Sequence, residues 1–249
     1  MKMSNPVFSS IDNIDWHRSL RQSNTGTVTM DDVIQKTSIT LGIIVASAAA
    51  NFALAWVVPP LASLLSLIGA IGALVMVLVS TFGNKFESAG VTIAYAVFEG
   101  LMLGGMSTVI ASTYTAKWGM VVGQALLGTI AVFVVMLIVY RMKLIEVTQR
   151  FKSFIIVMLL GVLAVALVNA IYSVFTGYNP LSGGALGIGF SLVCIVLAAL
   201  CLILDFDSAE QAVAEGMPRG AAWGIALGFA VTLVWLYVNI MNVLRGGGD

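Results

Sequence analysis

The chain has 249 residues, of which 59% are hydrophobic and only 10% are charged, whereas soluble domains average about 25% charged residues. This composition excludes an ordinary water-soluble fold and predicts an integral membrane protein. Lys plus Arg and Asp plus Glu number 12 each, so the net charge is zero and there is no basic field that would attract nucleic acid.

The N-terminal part of the chain is polar and lacks the apolar core of a signal peptide, so we expect a polar cytoplasmic segment over residues 1–36. Thr29 and Asp32 have the spacing of a capping box and predict that the first helix begins there. Seven apolar runs follow, each with the roughly 20 residues that a membrane helix needs. The predicted spans are about 37–57, 62–82, 90–110, 119–140, 153–175, 185–204 and 221–244, with a short tail over 245–249.

The connections between these spans are short, so neighbouring helices are expected to run antiparallel in one bundle over 37–244. The fold class is therefore predicted as all-α, a polytopic bundle without a soluble domain. The cations predict its orientation, because Lys and Arg are retained on the cytoplasmic side. With seven spans, Lys117 and Arg245 lie on one side and the other ten cations lie on the opposite side, which places the N-terminus in the cytoplasm and the C-terminus outside.

Glu99 lies at the centre of the third predicted span, where a charge costs about 2.5 to 3.5 kcal/mol on insertion scales. Its carboxyl is expected to face other helices or water. Gly100 and Gly104 form a GxxxG pair beside it, which allows close approach of a second helix. Two interpretations stay open: a neutral acid that is hydrogen-bonded between helices, or a group on an ion or proton pathway.

Four acids follow the sixth predicted span, namely Asp205, Asp207, Glu210 and Glu215. We expect them in a loop with only Arg219 as a counter-charge. Repulsion within such a cluster favours capture of a cation by oxygen ligands, so Asp205 and Asp207 are candidates for transient calcium contacts, although their spacing is not that of an EF-hand. The alternative is an ordinary solvated helix end.

Asp205 shares a helical face with Cys194 and Cys201, and this face would point into the bundle if Asp205 lined a pore. The seventh predicted span carries a polar stripe on one face. It also carries a second GxxxG pair, Gly224 and Gly228, which indicates close packing of helices rather than a binding site. The stripe consists of Thr232, Trp235, Asn239 and Asn242.

Enzymatic chemistry has little support in the sequence. The single histidine, His17, lies in the polar N-terminal segment, which makes a histidine-rich metal site or a Ser-His-Asp triad hard to build. No catalytic residue and no cofactor are expected.

Several segments together resemble those of one known family. They are SNPVF near the start, TVTMDDVIQKT before the first span, FEGLMLG in the third span, LDFD after the sixth and LVWLYVNIMNVL in the seventh. The chain resembles the Bax inhibitor-1 family, the transmembrane Bax inhibitor motif proteins, and within it the bacterial branch with an extended N-terminus. The resemblance implies a bacterial plasma membrane protein whose last helix is central and surrounded by the other six. It also implies a pH-sensitive calcium leak, gated by two acids on the sixth and seventh helices that share a proton.

Carried over to this chain, Asp205 matches the acid of the sixth helix and Glu99 the glutamate of the third-helix motif. Asn239 stands where the family has its second acid, and an amide cannot share a titrating proton. The basic partner that some members carry on the second helix is also missing from 62–82. By helix rise Asn239 lies about 27 Å into its helix, so either the register differs or Asn239 and Asp205 do not meet. A carboxyl pair is then expected between Asp205 and either Asp207 or Glu99.

The leading hypothesis is a channel-like protein that leaks calcium or another cation, with protonatable carboxylates as its gate. The candidate gating or pathway residues are Asp205, Asp207, Glu99 and Asn239. The main alternative is a non-conducting regulator that binds membrane proteases or other membrane proteins through its N-terminal segment. An intramembrane protease is a weaker alternative, because the paired membrane aspartates or the Ser-His pair that it needs are not found in the sequence. A secondary transporter is a further alternative, but the predicted spans show no broken helix in corresponding halves.

Overall fold

The structure is a computed structural model that describes residues 26–114, 118–181 and 184–246. These residues form seven α-helices and no strand, and each helix is long and apolar enough to cross a membrane. The helices are α1 (Met30–Val57), α2 (Pro59–Phe82), α3 (Ala89–Tyr114), α4 (Trp118–Arg141), α5 (Gln149–Thr176), α6 (Gly184–Ala214) and α7 (Ala221–Gly246). The predicted all-α bundle of seven spans is confirmed.

The first helix begins where its capping box predicts. The Thr29 hydroxyl accepts a hydrogen bond from the Asp32 amide, and the Asp32 carboxylate accepts one from the Thr29 amide, both at 3.2 Å. These two bonds satisfy backbone donors that have no partner inside the helix. Met30 is therefore the first helical residue, ahead of the apolar span itself.

The second helix follows the first after the single residue Val58. Pro59 and Pro60 occupy the first two positions of α2, ahead of the predicted start of this span at about residue 62. Proline is well suited to that place because its missing N–H would have no partner there.

The sixth helix is longer than predicted, and the expected acidic loop is wrong. Helix α6 continues through Asp205, Asp207 and Glu210 and ends only at Ala214. Gly216 then adopts a left-handed conformation, with φ of 64°, which favours glycine and ends the helix. Nothing in the sequence between 205 and 214 breaks a helix, so its polarity alone did not mark the helix end.

Helix α7 is the most buried helix, as the family resemblance implies. Within its most apolar stretch 61% of the residues are buried, against 6% in α5 and 17% in α2. It packs mainly against α1, α3, α4 and α6. Helix α2 packs instead against α1 and α3, and α5 against α6. Helix α7 is therefore central, but within the described residues four helices pack closely against it, whereas the resemblance implies six.

The turn between α6 and α7 lies at the same end of the bundle as the start of α1 and the loops that follow α2 and α4. We call this the junction end. Two ion pairs connect its parts: the Arg219 guanidinium binds Asp32 at 2.7 Å, and the Lys152 ammonium lies 2.7 Å from Asp207. Gly220 also packs closely on Glu87, since a Cβ added to this glycine would lie 3.0 Å from Cβ of Glu87. The charge rule predicts that this end faces the cytoplasm.

Candidate functional site

Asp205 lies on the face of α6 that packs against α7. Its Oδ1 atom is 3.7 Å from the place that a Cβ would take at Gly228, and the Thr232 side chain is close enough to interact with its carboxyl. Gly228 and Thr232 are four residues apart and therefore lie on one face of α7. Glycine leaves open the space beside the carboxyl that a larger side chain would fill.

The second carboxyl oxygen of Asp205, Oδ2, is unpartnered within the part of the chain that the structure describes. Oδ2 is buried, and it makes no hydrogen bond to any of the described residues. Buried polar atoms nearly always have a partner, and an uncompensated charge inside a membrane is costly. The carboxyl is therefore placed to take up a proton or a cation.

The neighbouring acids of α6 are already paired. Asp207 accepts hydrogen bonds from Lys152 at 2.7 Å and from Gln211 at 2.6 Å, and Glu210 accepts one from the Tyr140 hydroxyl. The two-residue offset turns Asp207 about 200° away from Asp205 on the helix. The expected joint calcium contact of Asp205 and Asp207 therefore has no support in this geometry.

Arg219, the expected counter-charge of the acids that follow the sixth predicted span, pairs with a different acid. Arg219 donates to Asp32 from Nε at 2.7 Å, and its Nη2 lies 2.7 Å from the same carboxylate oxygen. Lys152 and Tyr140 supply the partners of the α6 acids instead. Sequence alone did not indicate this exchange, because Arg219 and Asp32 are 187 residues apart.

Glu99 is buried in α3 with 8% of its surface exposed, and the Tyr95 hydroxyl is within hydrogen-bonding range of its carboxyl. The face of α3 that carries Glu99 packs on α7: the Thr92 hydroxyl donates to the Trp223 carbonyl at 3.0 Å. Thr92, Tyr95 and Glu99 recur at helical spacing on that face. Gly100 lies on another face, against Ser47 of α1, where a Cβ would have no room.

Glu99 and Asp205 lie on different sides of α7. Tyr95, one turn before Glu99, packs in a cluster that contains Ala230, whereas Asp205 meets Gly228 and Thr232. Ala230 is about 200° from Gly228 around the helix. The structure therefore brings together neither of the two predicted carboxyl pairs.

Asn239 is buried and donates a hydrogen bond to the Trp235 carbonyl of its own helix at 2.8 Å. It shares a face of α7 with Thr232 but lies two turns further along, about 10 Å by helix rise. Asp205 and Asn239 therefore do not meet, as the sequence analysis allowed. The residues that face Asp205 are Gly228 and Thr232, of which the polar stripe contained one.

Two further observations concern the ionisable side chains of the described residues. Glu87, in the loop before α3, is exposed, but partial desolvation of its carboxyl raises its pKa above the ordinary value, because desolvation disfavours the charged form. Within the described residues no three His, Cys, Asp or Glu side chains are grouped so that they could hold a metal ion. A cation at Asp205 would therefore have to be bound by one carboxylate together with hydroxyl, carbonyl or water oxygens.

Comparisons with known proteins agree with the architecture. A search of curated proteins found no significant match. The profile of the family described as Bax inhibitor 1 like matches residues 5–246. The match covers nearly the whole chain, and the chain belongs to this family of multi-pass membrane proteins.

Proposed function

We propose that this protein is a leak pathway for calcium or another cation, and that the Asp205 carboxyl is the group at which protonation controls the leak. The observation that carries this proposal is the buried Oδ2 atom of Asp205, which lacks a partner among the described residues. A carboxylate in that position is stabilised either by a proton or by a cation. Exchange between the two would make cation passage depend on pH.

The surroundings of Asp205 support a route for cations between this residue and the expected outer surface of the membrane. The α7 face that carries Thr232 also carries Asn239, two turns toward the expected outer surface. Both side chains are buried, with 8% and 6% of their surfaces exposed. A hydroxyl and an amide lining an interhelical seam offer oxygen atoms to a partly dehydrated cation.

Calcium as the ion rests on membership of the family, and oxygen ligands are what calcium prefers. The difference from the expected two-acid gate is that a single carboxyl here faces a threonine and a glycine. The proposed pH response therefore comes from Asp205 alone. Asp207 acts in charge compensation, since Lys152 pairs with it. Glu99 acts in packing, since it lies away from the α6–α7 interface, on the face of α3 that carries Thr92.

The test is calcium flux into liposomes that contain the purified protein and a calcium-sensitive dye. Flux should vary between about pH 6 and about pH 8, because a proton and a cation compete for the same carboxylate, and Asp205→Asn should abolish that variation. Asp207→Asn, which changes an acid two residues away on the opposite side of α6, is the matched control and should keep it. A pH response that survives in Asp205→Asn would contradict the proposal.

A further inference from the structure

The residues just before α1, together with the first turn of this helix, form a short strap across the turn between α6 and α7. Thr27 and Pro218 make an isolated antiparallel bridge. The Val28 amide donates to the Met217 carbonyl at 2.8 Å, and the Arg219 amide donates to the Gly26 carbonyl at 3.1 Å. We define the strap as residues 26–33.

Side chains reinforce the strap. Asp32 is buried, with 5% of its surface exposed, and one of its carboxylate oxygens receives the Arg219 guanidinium at 2.7 Å. The other oxygen accepts a hydrogen bond from the Thr29 hydroxyl at 2.8 Å. One turn into α1, the Lys36 ammonium lies 4.9 Å from the centroid of the Trp223 ring of α7, within the range of a cation–π interaction.

The strap also fills space between α6 and α7. Val28 and Val33 are almost fully buried, with 2% and 3% of their surfaces exposed. They belong to one apolar cluster that follows the α6–α7 interface past Asp205 as far as Ala198 and Leu236. Its members on the junction side of Asp205 include Ala209, Ala212, Ala222 and Ile225. Ala209 is one turn of α6 closer to the junction end than Asp205. An apolar layer that includes the strap therefore lies between the Asp205 carboxyl and that end of the bundle.

We propose that the strap is the gate at the junction end of the Asp205 pathway, and that the Arg219–Asp32 ion pair is its latch. The inference rests on the proposed function for the ion that passes, but access of water to the α6–α7 interface can be measured without any ion flux. Two properties of the strap would allow it to leave the turn between α6 and α7 and return. The Arg219 side chain is 57% exposed, and the strap holds the turn by few backbone hydrogen bonds, so release leaves most of the bundle intact.

The first test locks the strap. Residues opposite each other in an antiparallel bridge have Cα atoms about 4.5 to 5.5 Å apart, within the range of a disulfide, so Thr27→Cys with Pro218→Cys should form one. The variant is made with the two native cysteines, Cys194 and Cys201, replaced by alanine. Calcium flux into liposomes should fall about ten-fold on oxidation, since closure removes the conducting population, and return on reduction. Each single variant should be insensitive to the oxidant.

The second test releases the latch and uses a native thiol as reporter. Cys201 is buried one turn of α6 from Asp205, on the same face. In a Cys194→Ala background, Arg219→Gln should speed labelling of Cys201 by a small water-soluble thiol reagent about ten-fold, because labelling follows the population of the open state. Arg219→Lys, which keeps the charge, should change the rate less. Arg150→Gln, which removes a cation from the start of α5, should leave it unchanged.

The two readouts separate the two proposals. Faster labelling in Arg219→Gln, together with an absence of cation flux in every variant, would support the strap as a gate for water and refute the leak. An Asp205-dependent flux that the disulfide leaves unchanged, with unaltered Cys201 labelling in Arg219→Gln, would overturn the strap as a gate and retain the leak. Melting temperatures of all variants in detergent identify any that are unfolded, and Arg219→Lys then provides the folded comparison.

Discussion

Gly228→Ala tests whether the space beside the Asp205 carboxyl is used for conduction. A Cβ at Gly228 would lie 3.7 Å from Oδ1 of Asp205, an ordinary van der Waals distance, with no other described atom nearer than 4 Å. Alanine should therefore fit without displacing α6 or α7. Because alanine is favoured over glycine within a helix by about 1 kcal/mol, we expect the melting temperature to stay the same or to rise.

The effect on flux follows from what the methyl group replaces. A water molecule occupies about 30 Å³, and a methyl group fills a similar space without offering an oxygen. An unmade hydrogen bond to a buried polar atom costs about 1 to 3 kcal/mol. At 1.36 kcal/mol for each factor of ten in a rate, calcium flux should fall by about 5-fold to about 150-fold.

The assay is the initial rate of dye response in liposomes at equal amounts of folded protein. Gly228→Ser is the matched variant, because it adds a side chain of similar size that carries an oxygen, and it should retain more flux than Gly228→Ala. Wild-type flux in Gly228→Ala would refute the reasoning, as would an equal loss in both variants. Gly224→Ala is a separate case, since its Cβ would lie 2.5 Å from the Phe86 carbonyl oxygen and is expected to destabilise the fold.

Three further predictions concern stability and titration. Gly100→Ala should destabilise the protein by about 1 to 3 kcal/mol through overpacking against α1, whereas Gly161→Ala on the exposed α5, with nothing within 4 Å of its Cβ, should not; thermal unfolding in detergent compares them, and equal melting temperatures would contradict the assigned packing. Asn239→Asp should shift the pH midpoint of calcium flux by no more than about one unit, because a charge about 10 Å away from Asp205 contributes only about 1.7 kcal/mol at an effective dielectric constant of about 20; a larger shift would show that the two carboxyls meet. Partial desolvation raises the pKa of Glu87, an exposed residue, so its protonated form favours folding below the ordinary glutamate pKa, and this contribution, kept small by solvent screening, is lost as pH rises through the raised value. Glu87→Gln should therefore raise the melting temperature at neutral pH and change it little in acid, and a lowered melting temperature at neutral pH would argue against this.

Features that depend on neighbouring residues could be predicted from the sequence. The start of α1 follows from Thr29 and Asp32, three residues apart, because a capping box is a local hydrogen-bond pattern. The close approach at Gly100 is indicated by its GxxxG spacing and confirmed by the tight contact with Ser47 of α1. The family resemblance, carried by short segments along the chain, also agrees with the match over 5–246.

The candidate site depended on longer-range geometry. Asp205 and Asp207 are both acids at the end of an apolar run, yet about 200° of helical rotation directs one toward Gly228 and the other toward Lys152. Nothing local to either residue distinguishes them. Their different roles arise from which helix packs on each face of α6.

The amino-acid sequence by itself determined the solvent and the number of membrane helices of this protein, because 59% hydrophobic residues in long runs can be buried only in lipid. It also determined the start of α1, which a local capping box sets, but not the end of α6. Only the tertiary structure decided which charges are compensated. The Arg219–Asp32 pair joins residues 187 positions apart, and Oδ2 of Asp205 lacks a described partner. The physical reason is that desolvation and pairing are properties of a packed interface, and the sequence alone does not specify which faces of the helices meet.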